Sequence, residues 1–202
     1  DHAENSIVVA SGANMLLNEQ DVDKVVEEMC EGDILLMQLE IPIQTVEYAA
    51  RKAFEKGVKV VLNPAPARSL PKELLRYLFM ITPNRIEAEM LTGIKIVNDA
   101  DAERVAKEIS AMGVQNIIVT LGSKGCLVRE GDTSYCVDAF KVEPVDTTAA
   151  GDTFNGALCV GLAEGMNLRQ SAGMASKASS VAVTRMGAQS SIPYRKELDL
   201  NE

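Results

Sequence analysis

Apolar residues along this chain follow two alternating rhythms. Short, nearly unbroken runs rich in β-branched residues stand at Ile34-Leu35-Leu36-Met37, Val58-Lys59-Val60-Val61-Leu62 and Ile117-Ile118-Val119-Thr120-Leu121. Runs of this kind suit strands buried on both faces. A similar run, Ile7-Val8-Val9-Ala10, is reached within a few residues of the start and reads as a strand. Between the runs the spacing changes to three and four. Val22, Val25, Val26 and Met29 fall at i, i+3, i+4 and i+7 and are predicted to share one helix face. Val46, Ala50 and Ala53 repeat the pattern ahead of Gly57, and Ala102, Val105, Ala106, Ile109 and Met112 ahead of Gly113. Glycine placed so is a helix stop. The stretch from Cys126 to Val142 reads as an edge hairpin turning at Gly131-Asp132. After Asp146 the chain turns helical, with Gly165-Met166-Asn167 separating two helices. The second, from about Leu168 to Thr184, is so rich in Ala, Ser and Gly that another segment can approach its backbone closely.

Strands alternating with helices imply an α/β fold, a three-layer α/β/α sandwich around a mostly parallel, Rossmann-like sheet. A chain of 202 residues fits one domain, read here as a single unit over 1–202. The net charge of −9 argues against a nucleic-acid or anionic-membrane surface, since either partner needs a basic patch. No apolar run approaches the ~20 residues of a membrane span, and the start lacks a signal peptide's basic and long apolar regions; the expected location is cytoplasmic. The four cysteines, Cys30, Cys126, Cys136 and Cys159, are widely spaced and read as reduced thiols. A single histidine nearly excludes a histidine-based zinc site or a Ser-His-Asp triad. The chain opens on Asp1 without an initiator Met, which suggests a piece of a longer protein.

In open sheets of this kind ligands sit beyond the carboxyl ends of the strands, and four loops there carry unusual residues. The strongest is Asp146-Thr147-Thr148-Ala149-Ala150-Gly151-Asp152. Small residues let a ligand reach the backbone, and the N–H groups of a helix start form an anion site. Asp152, in the first turn, can accept a proton from a hydroxyl held there. Plain capping is the competing account, with Thr148 as N-cap and Asp152 favoured by the helix dipole. Thr82-Pro83-Asn84-Arg85-Ile86-Glu87 carries Asn-x-x-Glu, which by spacing alone is a capping box. Thr120-Leu121-Gly122-Ser123-Lys124-Gly125 lacks the G-x-x-x-x-G-K-[ST] order of a P-loop and by itself is a glycine turn. The fourth loop is Gln38-Leu39-Glu40.

Together these strings resemble the ribokinase-type carbohydrate kinases. Met37-Gln38-Leu39-Glu40, Asn63-Pro64-Ala65-Pro66-Ala67, Thr82-Pro83-Asn84 with Glu87, Thr120 to Gly125, Asp146 to Asp152 and Thr184-Arg185-Met186-Gly187-Ala188-Gln189 match in order and spacing over nearly the whole chain. Met-Gln-Leu-Glu and Asn-Pro-Ala-Pro-Ala point to the ribose-phosphorylating members. The resemblance implies a ribokinase-like fold and transfer of the γ-phosphoryl group of MgATP to the 5-hydroxyl of D-ribose. It makes Asp152 the catalytic base and sugar contact, and the backbone of Ala149, Ala150 and Gly151 the stabiliser of the transferring group. Thr120, Leu121, Gly122, Ser123, Lys124 and Gly125 would line ATP, together with Asn84, Gly151 and Asp152. Ser176 would lie beside adenine, where some members carry a larger ring-bearing residue. Glu40 matches a further sugar contact. Asp146, Thr148, Ala182, Arg185, Gly187 and Ser191 match a potassium (K+) site, with Ala182, Arg185 and Gly187 giving carbonyls. Asn84 and Glu87 would organise magnesium (Mg2+), Glu87 through water.

The family's first strands, lid sheet, early aspartate and Gly-Gly-Lys-Gly-x-Asn loop have no counterpart here, so the chain holds only part of the sugar pocket. The full-length enzyme is expected to be a homodimer. Other readings are a related kinase for fructose, a nucleoside or another small sugar, and a non-catalytic truncated nucleotide-binding module.

Overall fold

The computed structural model describes residues 10–198. Ile7, Val8 and Val9 of the first apolar run lie outside the described residues. Those described form two compact units, 10–120 with 127–135 and 121–126 with 136–198.

The first unit carries α1 (Glu19–Glu28), β1 (Ile34–Met37), α2 (Ile43–Glu55), β2 (Lys59–Leu62), α3 (Lys72–Leu75), β3 (Met80–Ile81), α4 (Arg85–Thr92), α5 (Asp99–Ala111) and β4 (Asn116–Thr120), followed by most of β5 (Cys126–Glu130) and β6 (Thr133–Val137). The sheet runs in chain order, β1-β2-β3-β4-β5-β6. β1 to β4 are parallel, with Ile34 opposite Lys59, Val61 opposite Met80 and Met80 opposite Asn116. β5 and β6 are joined only by Gly131 and Asp132, a connection that antiparallel strands alone can make. The expected hairpin is present, but its second strand stops at Val137, short of Val142.

Burial follows the apolar runs. Val60, Val61, Leu62, Met80, Ile81, Ile117, Ile118 and Val119 are fully buried. Each such side chain contributes about 1.5–3 kcal/mol by leaving water. β3 was not foreseen. Two residues carry no periodicity, and the strand is held because Phe79 N–H donates to the Val60 carbonyl and Thr82 N–H to that of Leu62.

The helix faces hold for α2 and α5, where Val46, Ala50 and Ala53, and Ala102, Val105, Ala106 and Ile109 are buried. Met112 is the C-cap of α5 and half-buried. In α1 only Val22 and Val26 are buried, whereas Val25 is 56% exposed and Met29 is the half-buried C-cap. At 100° per residue, Val25 sits roughly 80° from the centre of the Val22–Val26 stripe, outside the face that α1 presents to α2.

The second unit contains a 3₁₀ turn (Gly122–Lys124), α6 (Ala150–Ala163) and α7 (Leu168–Ala182). α7 ends two residues before the expected Thr184. Its start is fixed by a reciprocal cap, Asn167 accepting from the Gln170 N–H at 2.9 Å while the Gln170 side chain accepts from the Asn167 N–H at 3.1 Å. The small residues do bring α6 and α7 close. A Cβ at Gly161 would lie 2.9 Å from Ser171 Oγ and 3.1 Å from its Cα.

Candidate active site

In the first unit the loops at the carboxyl ends of the parallel strands are laced together. Asn63 N–H donates to the Met37 carbonyl at 2.9 Å and Leu39 N–H to that of Ala65 at 2.8 Å. Asn63 Nδ2 donates to the Thr82 carbonyl at 3.1 Å. Asn84 forms a parallel bridge with Thr120, whose N–H donates to the Pro83 carbonyl at 2.9 Å. Glu40, exposed, thus shares one end of the sheet with Asn84, Glu87 and Thr120.

The Asn-x-x-Glu string is a capping box. Asn84 Oδ1 accepts from the Glu87 N–H at 2.9 Å, and the Glu87 carboxylate accepts from the Asn84 backbone N–H at 2.8 Å and from Asn84 Nδ2 at 2.7 Å. Glu87 is 4% exposed, and burial holds its carboxyl above the usual carboxylate range, partly offset by the Asn84 N–H. Each carboxylate oxygen thus accepts one bond from Asn84. Asn84→Ala removes the two bonds made by the Asn84 side chain, keeps the backbone one, and should cost about 2 kcal/mol, combining a lost cap with a buried acceptor left unpaired. The sign with pH follows from linkage. A carboxyl whose folded pKa is raised gives stability at low pH that is lost as pH rises through that pKa. Losing the Nδ2 donor raises the pKa further, so the deficit of Asn84→Ala in urea unfolding should be larger at pH 8 than at pH 5.

In the second unit the 121–125 loop closes on itself through the Leu121 N–H to Gly125 carbonyl bond at 2.8 Å. Gly125, at φ 86° and ψ −130°, lies against the segment after β6, where an added Cβ would be 2.0 Å from the Val137 oxygen. Ser176 is buried, and its hydroxyl donates to the Asp138 carbonyl at 3.1 Å.

The 146–152 loop is pinned at three points. Asp146 accepts from the Thr148 N–H and the Gly187 N–H, both at 2.9 Å. The Thr148 hydroxyl, then these two N–H groups, hold its carboxyl below the usual carboxylate range. Ser179 Oγ donates to the Ala150 carbonyl at 3.0 Å, and Asn155 Nδ2 to that of Gly151 at 2.9 Å. Ala149 takes φ 59°, the only non-glycine residue at positive φ among the described residues. It, not Thr148, is the N-cap of α6, and no side chain caps that helix. A Cβ on Gly151 would meet nothing within 4 Å, so packing does not demand glycine there. Asp152 is exposed in the first turn. The result is a helix start left open to an anion, with a carboxylate beside it.

Of the residues matched to a cation site, Asp146, Thr148 and Gly187 are brought together directly. The Val145 and Asp146 N–H groups donate to the Val183 carbonyl, beside Ala182, and Arg185 N–H donates to the Ala182 carbonyl. Ser191 is buried and donates to the Ala188 carbonyl at 2.7 Å. The donors are hydroxyl, carboxylate and carbonyl oxygens, which suit a hard cation. Among the described residues no three His, Cys, Asp or Glu side chains cluster as a metal site, and no helix is long and apolar enough to cross a membrane. Burial pushes Cys126 up to about 12 and Cys159 to about 11, so neither is a ready nucleophile.

Ser179 and Asn155, which hold the backbone of the 149–151 turn, were not read from the sequence. Both were hidden among helix residues whose only visible property was small size or polarity.

The sequence matches the pfkB family carbohydrate kinase pattern over residues 1–195. It is 45% identical to ribokinase from Haemophilus influenzae over 96% of this chain and 64% of that protein. Identity to ribokinase from Staphylococcus aureus is 40%, over 97% of this chain and 65% of that one. Among solved structures, ribokinase from Thermotoga maritima superposes with a TM-score of 0.85 at 38% identity, covering 96% of this chain and 64% of that one. Arabidopsis thaliana ribokinase complexed with ribose and ATP superposes with a TM-score of 0.87 at 30% identity, again over 96% and 64%. The fold is therefore the ribokinase-like α/β fold, and the chain spans just under two-thirds of the length of these relatives. By sequence and by structure, the chain belongs to the pfkB family of carbohydrate kinases.

Proposed function

We propose that these residues form the nucleotide-binding and catalytic portion of an enzyme that moves the γ-phosphoryl group of MgATP to the 5-hydroxyl of D-ribose, giving ribose 5-phosphate. The observation that carries the proposal is the start of α6: uncapped, entered through a left-handed Ala149, unobstructed at Gly151, and bearing Asp152 in its first turn. Phosphoryl transfer asks chiefly for positioning and for charge stabilisation on the migrating group. Asp152 takes the proton of the sugar hydroxyl, and the Ala149–Gly151 backbone faces the phosphoryl oxygens. Thr120 to Gly125 line the nucleotide, and Glu40 contacts the sugar. Magnesium, when bound with ATP, neutralises phosphate charge, and Asn84 and Glu87 orient its water. The same reading, on the resemblance alone, makes the full-length enzyme a cytoplasmic homodimer.

The test is a chimera in which these 202 residues replace the matching part of the Haemophilus influenzae relative. Ribose-dependent ADP release is expected, with ribose preferred over fructose and nucleosides. A folded chimera that binds MgATP but releases no ADP with any sugar would leave only a nucleotide-binding module.

Asp146, Thr148, Ala182, Arg185, Gly187 and Ser191 would hold potassium behind the anion turn, ordering it without touching substrate. Chimera activity should then rise with K+ at constant ionic strength by about fivefold or more, the low end of a site-to-site coupling. Asp146→Ala should flatten the response. Equal rates in K+ and in a large organic cation would remove the site.

A further inference from the structure

We propose that the first unit carries a second small-molecule site, at the amino ends of its parallel strands, which takes a small anion borne on a flat aromatic ring. The site goes beyond phosphoryl transfer and does not depend on it. It is an open cavity of about 450 Å³ beneath β2, β3 and β4. Lys59 is the first residue of β2, Phe79 immediately precedes β3, and Asn116 is the first residue of β4. Asn63, Thr82 and Thr120 stand at the other ends of the same strands. Strand residues advance about 3.3 Å each, so roughly 10–13 Å of packed sheet separates the cavity from those loops.

The walls are aromatic and held in place by the fold. Phe54, near the end of α2, and Tyr77, just after α3, bring their ring centroids to 5.7 Å at an interplanar angle of 54°. Phe79 is fixed from both sides. Its N–H donates to the Val60 carbonyl and its carbonyl accepts from Asn116 Nδ2, both at 2.9 Å. Phe54 nevertheless remains 53% exposed, a large apolar ring at the rim. The charge is of one sign. The chain has 29 acidic residues against 20 basic ones, yet none of the eleven residues lining this cavity is acidic and two are cations. Arg76 pairs with Glu73 at 3.2 Å on the exposed surface. Lys59 is half-buried and makes no ion pair among the described residues; its ammonium stands 5.4 Å from the centroid of the Phe79 ring. Ligand sites of roughly this size combine apolar and aromatic walls with a few polar groups that fix orientation. A purely apolar molecule would desolvate the Lys59 ammonium without a partner. A bare inorganic anion would leave three rings uncovered. A ring bearing a carboxylate or phosphate satisfies both the cation and the walls.

The purified chain is titrated with salicylate, with its neutral amide salicylamide, and with acetate, which has the charge but no ring. The ring protons of Phe54 and Tyr77 are followed by NMR. Salicylate should move both rings on binding, and the amide and acetate should bind about tenfold more weakly or less, the low end for losing a hydrogen bond to a charged group. Lys59→Met keeps an apolar stem and removes the charge. It should weaken salicylate about 10- to 150-fold and leave the affinity of salicylamide unchanged. Phe54→Ala, at an exposed position, should weaken acid and amide alike by about two- to tenfold, as expected for a lost aromatic contact. Excess MgADP should not displace salicylate. Displacement by MgADP would move the acid to the nucleotide loops and overturn the proposal. So would an affinity that neither substitution alters, or a failure of salicylate to bind at millimolar concentration.

Discussion

Asp152→Asn, made in the ribokinase-length chimera, should turn over about 10²–10⁴ times more slowly while binding ATP almost as before, the usual loss for a missing general base. The amide keeps the size of the carboxylate but cannot take the hydroxyl proton. Structure should survive the change. Asp152 is exposed, and its charge contributes about 0.3–1 kcal/mol through the helix dipole. The fall should appear in kcat and kcat/KM together, since the interaction is gained only as the proton moves. Turnover within a few-fold of the parent, with chemistry rate-limiting, would remove Asp152 from the role of base.

Gly125→Ala is the second large effect, and it falls on folding and nucleotide binding rather than on chemistry. The new Cβ would sit 2.0 Å from the Val137 oxygen, 2.6 Å from the Ala139 nitrogen and 2.7 Å from the Asp138 carbonyl carbon, all backbone atoms. No rotamer relieves a clash with backbone, and φ 86° with ψ −130° is itself hostile to an L side chain. Strain of about 1–3 kcal/mol and overpacking of a similar size together predict a loss of about 2–6 kcal/mol. Gly122→Ala is the internal control. Gly122 has φ 62° but nothing within 4 Å of an added Cβ, so only the left-handed cost of about 1–2 kcal/mol applies. Urea unfolding and MgADP titration of both variants should therefore differ sharply. Equal losses would mean that the loop is not wedged against the segment after β6.

Reading the sequence recovered what repetition encodes. β1 stands where its apolar run does, β4 is offset by one residue, and the α2 and α5 stripes are buried as spaced. The hairpin turn at Gly131-Asp132 and the break between α6 and α7 carried their own turn residues. What escaped was decided by partners far along the chain. β3 exists because Val60 and Leu62 offer carbonyls, not because Met80-Ile81 has a pattern. Val25 looked like a stripe residue until the packing against α2 chose which side of Val22 to bury. The start of α6 was misplaced by one residue because nothing local in Thr148-Ala149-Ala150 reveals a left-handed alanine. Its determinants are hydrogen bonds from Gly187 and Ser179, which are 38 and 30 residues from Ala149. Asn84-Glu87 was the opposite case. Its geometry was fully local, so its cap could be written down from spacing alone.

Ala149 has a consequence for how tightly the anion turn can hold its ligand. An L residue at φ 59° carries a standing cost of about 1–2 kcal/mol, borne once, when the chain folds. A glycine there would relieve that strain but leave the turn free to wander among conformations until a phosphate arrived, shifting the ordering entropy from folding to binding. Alanine thus converts a loop that would have to be frozen by its ligand into one frozen beforehand. The signature is calorimetric. Ala149→Gly should leave the heat of MgADP binding nearly unchanged and make its entropy less favourable, so that affinity falls with every hydrogen-bond donor still in place.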